Sequence, residues 1–351
     1  MGKTTIGLEI TEEAVRAAEV TIGRSPALVT CASVPLPPGA AKDSEVFDVD
    51  AVALALRQLW SRAGFTSRRV VLGIGSRRIL VREYTTQALR PDLLRQALPF
   101  QVQDLLPVPA DQAVLDFYPA TQQGDQITGL LVAAVSETVE QLISTIAKAK
   151  ITVDVVDLAP FGLARAASRL AAPGESVAAL HLGDHTSYVV VVRDGIPKFV
   201  RILPIEIVTE AVREREQIAA TESAEPVAVP EEILETVPPS TESPVRRLRT
   251  GGRAVRPAGM SDSALSDLVG RLHSTLAFYA GRSGDEPVTR VLLSGAGAAA
   301  PGIADALAAS LPLPVSYAGA AEIIDGKKGV PTGDVGLNLL TTVGLALGDA
   351  R

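Results

Sequence analysis

The sequence predicts an α/β fold built from two related halves with a small inserted α/β unit, and three observations carry that prediction. First, a β-meander is spelled twice. Thr5-Ile6-Gly7-Leu8-Glu9-Ile10 opens strands that run to about Leu36, and Ala178-Ala179-Leu180-His181-Leu182-Gly183 opens strands that run to about Pro204. The second returns through Asp194-Gly195, a strong hairpin signal. Second, the stretch from Val288 to about Ser310 reads as strand, glycine turn and helix. Third, residues 91–152 mix short strands with helical spacing. A doubled meander puts a cleft between the halves, with the turn after each opening strand beside it.

The elements follow in order. Residues 4–36 read as three strands. Asp48 or Asp50 caps a helix to about Ala63, with Val52, Leu56, Leu59 and Trp60 on one face. Val70–Ile74 and Ile79–Tyr84 are strands. Leu94, Leu98, Val102 and Leu105 have helical spacing interrupted by Pro99, so the helix is kinked or begins near there. Leu106-Pro107-Val108-Pro109 ends it. Val114–Tyr118 and Gly129–Val135 are strands, Glu137–Lys148 a helix and Thr152–Val156 a strand, giving a β-poor, helix-flanked module. Pro160–Leu170 is a helix with Leu163, Ala166, Ala167 and Leu170 inward. Ser261 caps a helix to about Arg282. Val288–Ser294 is a strand running into Ser294-Gly295-Ala296-Gly297, with a helix from Pro301. Val315–Tyr317 is a short strand, and Asn338–Leu347 a helix of small residues.

Between the second meander and Ser261 the pattern breaks. Residues 206–260 contain no aromatic residue. Glu206 to Glu242 carries ten Glu against two Arg, and Arg246 to Arg256 carries five Arg and no acid. Six prolines punctuate the tract. It cannot bury enough apolar area to offset its ordering entropy, so a disordered insertion is expected. The Arg run reads as a solvated segment, or as one drawn to anionic lipid.

Composition excludes several classes. The 351 residues suffice for two cores, and a hydrophobic content of 47% with only 4% aromatics means cores of Ala, Val, Leu and Ile. A net charge of −7 argues against nucleic-acid binding over the whole surface. Cys31 is the single cysteine, so no internal disulfide or zinc cluster forms, and a reducing, cytoplasmic compartment fits. No apolar run is long enough for a transmembrane helix, and no secretory signal is expected at the N-terminus.

Individual motifs are weaker. The Ser294–Gly297 turn before a helix offers N–H groups to an anion or ring, yet such turns also serve as plain βα connections. Gly2-Lys3-Thr4-Thr5 copies only the tail of a P-loop, since nothing precedes it and a strand follows. His181 and His185 sit on a strand end and turn with no third ligand, so no metal site is expected. Neither a nucleophile elbow nor a Ser-His-Asp set is found.

In combination the segments resemble a family. IGLEITEEAVRAAEV is similar to the first phosphate-loop region of actin-like ATPases, and ALHLGDHTSYVVVVRDGIPKFVRILP to the second. LPFQVQDLLPVPADQAVLDFY and LLVAAVSETVEQLISTIAKAKITVDVVDLAPFGLARA resemble the inserted subdomain and linking region of the PilM family, the cytoplasmic actin-like proteins of type IV pilus assembly. LAFYAGRSGDEPVTRVLLSGAGAAAPGIADAL resembles the adenosine-binding turn, and TTVGLALG the closing helix. FtsA-like division proteins are the next relatives. The resemblance covers most of 1–205 and 262–351.

It implies an actin-like, ribonuclease H-like duplicated fold. Residues 1–86, 153–175 and the helix 336–351 form the first half, 87–152 the inserted subdomain, and 176–205 with 261–335 the second half. It implies a degenerate nucleotide site at Glu9, Thr11, Gly183, Asp184, Gly295 and Gly297. The first loop usually presents Asp then Gly, and here has Glu9 and Thr11. The second usually opens with the Asp that holds hydrated magnesium, and here has His181, a poor ligand for that ion. The Glu that positions water is replaced by Ala159, whose methyl group cannot orient or deprotonate water. Asp157, two residues earlier, is a candidate for partial rescue. Hydrolysis is therefore expected to be weak or absent, with ATP a conceivable ligand and magnesium weakened.

The implied role is a scaffold at the inner face of the cytoplasmic membrane. It would bind the cytoplasmic tail of a PilN-like inner-membrane protein within a pilus motor complex whose ATPase is a separate protein. The tail would lie in a groove between the first half and the inserted module, walled by the helix of Leu94, Leu98, Val102 and Leu105, side chains that equally serve as ordinary core. Two alternatives stand beside it: an active, nucleotide-switched ATPase, and an FtsA-like division protein. The latter implies a terminal amphipathic anchor that Gly348-Asp349-Ala350-Arg351 does not supply.

Overall fold

In a computed structural model the described residues are 3–183, 186–205, 207–209, 212–214, 217, 259–282, 284 and 286–348. The first meander is β1 (Thr4–Ile10), β2 (Ala14–Thr21) and β3 (Ala27–Pro35), joined antiparallel. The strand β6 (Arg69–Ile74) adds parallel to β1, and β10 (Thr152–Leu158) parallel to β6. The second half repeats the plan. There β11 (Ser176–His181), β12 (Ser187–Arg193) and β13 (Ile196–Leu203) form the meander, and β14 (Val288–Ser294) and β15 (Val315–Tyr317) add in parallel. The doubled signal in the sequence is thus a doubled sheet topology.

Local chemistry fixes the helices. Asp48 caps α1 (Val49–Ala63), its carboxylate accepting from the amides of Asp50 and Ala51, and Gly64 ends it in the left-handed conformation. Ser261 caps α5 (Asp262–Ala280) in the same manner, and it follows α2 (Pro91–Gln101), α3 (Ser136–Lys148) and α4 (Ala159–Ser168) in the chain. Two further helices follow, α6 (Ile303–Ser310) and α7 (Gly333–Ala346). The pair α4 and α7 fills the space between the sheets. A Cβ on Gly344 would lie 2.0 Å from the Gly162 carbonyl oxygen, so the two helices cross backbone against backbone. The small-residue composition of α7 is what permits this approach.

Several expectations need correction. The helix expected from Asn338 starts five residues earlier, at Gly333. The helix expected from Pro301 starts at Ile303, after Gly302 at φ 80°. Pro99 lies within α2, close enough to its end that only the last turn lacks an N–H. The module read as β-poor contains a three-stranded sheet of β7 (Leu80–Gln87), β9 (Gln126–Val135) and β8 (Ala113–Gln123). The strand at Ile79–Tyr84, assigned to the first half, pairs only within this sheet. Conversely, Leu142 and Ile146 of α3, assigned to the insertion, pack in the core of the first half. A two-residue strand, β16 (Asp325–Gly326), crosses from the second half to pair with β3.

The expected disordered insertion falls mostly outside the described residues. At its edges the chain is placed: Ile207 and Thr209 are buried, and Val208 forms an antiparallel bridge with Gly259. A short hairpin with no clear signal in the sequence joins β4 (Ala41–Lys42) to β5 (Glu45–Val46). Its two turn residues, Asp43 and Ser44, both have positive φ, 51° and 57°.

Candidate functional site

The turns after β1 and β11 face each other across a cleft, with Ala159 at the start of α4 and Asn338 of α7 completing its walls. About 40 Å³ is left free, room for a few waters.

Arg16 lies in the wall of the cleft. It is register partner to Glu9 across β1 and β2 and is 4% exposed. Its guanidinium donates to the Asn338 side chain (2.6 Å) and main-chain carbonyl (3.3 Å) and to the Thr11 hydroxyl (3.3 Å), and lies 3.7 Å from the Glu13 carboxylate. Glu13 accepts in turn from Thr209, and Glu9 from Thr342 on α7. Burial pushes the Glu9 carboxyl above its ordinary range, an effect that Arg16 and the Thr342 bond partly offset. The first loop is therefore tied to α7 and to the second half by the chain's own groups.

His181 is buried and stacked on Tyr188, with ring centroids 4.8 Å apart and planes at 11°. Burial, reinforced by the Arg16 charge, lowers its pKa to about 3, so the ring is neutral. Tyr188 shares a hydrogen bond of 3.1 Å with Thr341, and burial raises its pKa well above the usual phenol. Among the described residues, no group of three or more His, Cys, Asp or Glu is placed to hold a metal ion.

The expected site residues divide. Glu9, Thr11, Gly183, His181 and Ala159 all line the cleft. Thr11 is used within its own turn, its hydroxyl donating to the Ala14 carbonyl at 3.1 Å. Gly183 is required by the tight second turn, where a Cβ would lie 2.5 Å from the Thr186 carbonyl. Asp184 lies outside the described residues.

Gly295 and Gly297 do not line the cleft. A Cβ on Gly295, at φ 87°, would strike the Leu182 carbonyl at 2.3 Å, and one on Gly297 would meet Ile207 at 2.7 Å. Their N–H groups donate to Leu337 and Leu182. The glycines expected to receive adenosine serve the packing of the chain on itself. Asp157 accepts from the Leu158 amide and from Arg165, and it is not among the cleft residues, so it gives Ala159 no rescue.

The residues of the expected partner wall are packed inward. Leu94, Leu98 and Val102 are buried with Leu131 as the core of the small sheet, and Leu105 packs against them. Their helical spacing signals ordinary core. A groove beside the cleft lies between the first half and the inserted unit. It is largely apolar and is lined by Ile74, Ser76, Ile79, Ala134, Thr138, Val139 and Leu142, with Ser44 and Arg78 at its rim. Sequence reasoning missed Arg16, Glu13, Asp43, Ser44, Thr186 and Asn338. Only Arg16 left a signal, as a cation inside an apolar strand.

A profile of the family described as type IV pilus assembly protein PilM matches residues 7–202, more than half of the chain. The chain belongs to the PilM family. A solved structure of a PilM-PilN type IV pilus biogenesis complex is 24% identical, covering 98% of this chain and 97% of that one at a TM-score of 0.76. The fold of this PilM-family chain is accordingly the actin-like α/β fold. The ethanolamine utilization protein EutJ from Carboxydothermus hydrogenoformans is 14% identical, covering 99% and 90% of the two chains at a TM-score of 0.48. No helix among the described residues is long and apolar enough to cross a membrane.

Proposed function

We propose that this PilM-family protein is a scaffold of a type IV pilus assembly machine, working without appreciable ATP hydrolysis. The observation that carries the reading is Arg16. Its guanidinium, in the wall of the cleft, is spent on Asn338, Thr11 and Glu13 and so is engaged by the chain's own groups. ATP would have to bring its phosphates against Glu9, Glu12, Glu13 and Asp43 in a cleft with about 40 Å³ free. No carboxylate stands at Ala159 to orient water. In this reading Gly295 and Gly297 serve packing against Leu182 and Ile207 rather than an adenosine ring, and His181 replaces an oxygen ligand for magnesium.

The partner in this reading is the cytoplasmic tail of a PilN-like inner-membrane protein, which places the scaffold at the inner face of the cytoplasmic membrane beside a separate motor ATPase. In the similar solved complex, PilN is the partner of that PilM. In this reading the tail sits at the apolar groove bordered by Ile74, Val139 and Leu142, between the first half and the inserted unit. Calorimetry with ATP and magnesium, run beside a phosphate-release assay and capture of pilus membrane proteins by the full chain, tests the whole. Capture with background turnover is the expected result. Steady turnover, or capture of division proteins alone, overturns it.

A further inference from the structure

The cleft and the apolar groove share a wall. Ser44, at the tip of the β4–β5 hairpin, lines both. The end of β6 divides in the same way, with Gly73 and Gly75 lining the cleft and Ile74 and Ser76 the groove.

Three successive hairpin residues are fastened to this end of β6. The Ser44 hydroxyl accepts from the Gly75 amide at 3.0 Å. Asp43 accepts from Arg77 at 2.6 and 3.0 Å, and Glu45 pairs with Arg78 at 3.0 Å. The base of the hairpin is fixed in the first half, with Ala41 and Val46 in its core and Gln141 of α3 donating to the Val46 carbonyl. Asp43 also reaches the other half, where its second oxygen accepts from Thr186 in the β11–β12 turn.

We infer that the Asp43-Ser44 turn couples the two sites, so that a group seated in the apolar groove loosens the Asp43–Thr186 bond across the cleft. The inference rests on the groove's being where a partner binds. The groove has room for about one water molecule, 10 Å³, so an entering side chain must push its walls apart. Ser44 is the part of those walls that also borders the cleft. Both turn residues hold the positive φ that a two-residue hairpin turn needs, which costs a non-glycine residue such as Ser44 and makes its bond to Gly75 count. Moving Ser44 off the Gly75 amide removes one of those bonds, and Asp43 follows because it is the adjacent residue of the same turn. The coupling is reciprocal: whatever opens the cleft at Thr186 eases entry to the groove.

The test needs no natural partner. In the full chain carrying Cys31→Ala and Thr138→Cys, N-phenylmaleimide attached at residue 138 sits in the groove, and hydrogen exchange is read at Thr186–Tyr188. Labelling is expected to speed exchange there by about fivefold or more. The response is expected to vanish in Asp43→Ala and in Thr186→Val, which cut the bond from either side. No change on labelling, or an equal change in both variants, overturns the coupling. Binding of a synthetic PilN-type tail peptide, measured separately by anisotropy, judges the groove as partner site. A failed peptide with an intact labelling response would remove the partner reading and leave the coupling standing.

Discussion

Glu9 and Arg16 stand directly opposite each other across the antiparallel β1–β2 pair, both buried, on the side that faces α7. The carboxylate reaches Thr342 and the guanidinium reaches Asn338, so one cross-strand pair secures the first sheet to the helix between the halves. Replacing Arg16 by Met keeps much of its volume but strands Glu13 and the Asn338 amide oxygen. A loss of about 3 kcal/mol in urea unfolding is expected. An unchanged midpoint would show that the network adds no stability.

Restoring a carboxylate should not restore chemistry. Ala159→Glu is expected to leave phosphate release at background, because little of the cleft is free and, among the described residues, no group of three or more His, Cys, Asp or Glu is placed to hold a metal ion. Turnover above background in that single variant would show that Ala159 was the one obstacle.

Acid should destabilise the protein ahead of ordinary carboxylate titration. His181 is neutral in the folded state with a pKa of about 3, against 6.5 for an unrestrained ring. The unfolded chain therefore binds the extra proton between those values, and stability falls as pH drops from 6.5 toward 3. The upper bound is about 4 to 5 kcal/mol over that range. Glu175, lowered to about 2 chiefly by its bond to Arg290, adds a loss below 4.5. Glu9, raised by burial, acts in the opposite sense, its contribution fading as pH climbs above the usual carboxylate range. Urea titrations across this range should show a sloping limb above pH 5 that His181→Phe flattens.

Gly295→Ala tests whether that glycine serves the fold or a ligand. With φ at 87° and the Leu182 carbonyl 2.3 Å from the added carbon, it should cost about 2 to 3 kcal/mol of stability in the absence of any nucleotide. A stable variant that lost only ATP binding would return the turn to the nucleotide site.

The groove and the α2 core can be told apart by mutation. Thr138→Arg should obstruct the groove and weaken capture of a PilN-type tail about tenfold or more with little change in unfolding midpoint. Leu98→Ala should lower stability by about 2 to 5 kcal/mol through a cavity. Equal loss of capture in both variants would point back to the α2 wall.

The sequence showed the architecture because its signals are local and repeated. Each meander carries its own alternation, and caps such as Asp48 and Ser261 mark where helices start. The assignment of strands to sheets was less visible. Ile79–Tyr84 reads as a strand in any context, and only its partner β9, more than forty residues on, decides its sheet. The site was legible in what it lacks, at Ala159, Thr11 and His181. What replaces those groups was not, because Arg16, Asn338 and Thr209 come from three distant segments. Gly295 and Gly297 misled for a related reason: a glycine chosen for close approach does not say what approaches it, and here it is Leu182 and Ile207.

The crossing of α4 and α7 at Gly162 and Gly344 has a mechanical meaning. The two backbones pass with only Leu345 and Ala166 as side chains beside the contact. Any residue larger than glycine at either position would force α4 and α7 apart, and with them the two sheets that each helix packs against.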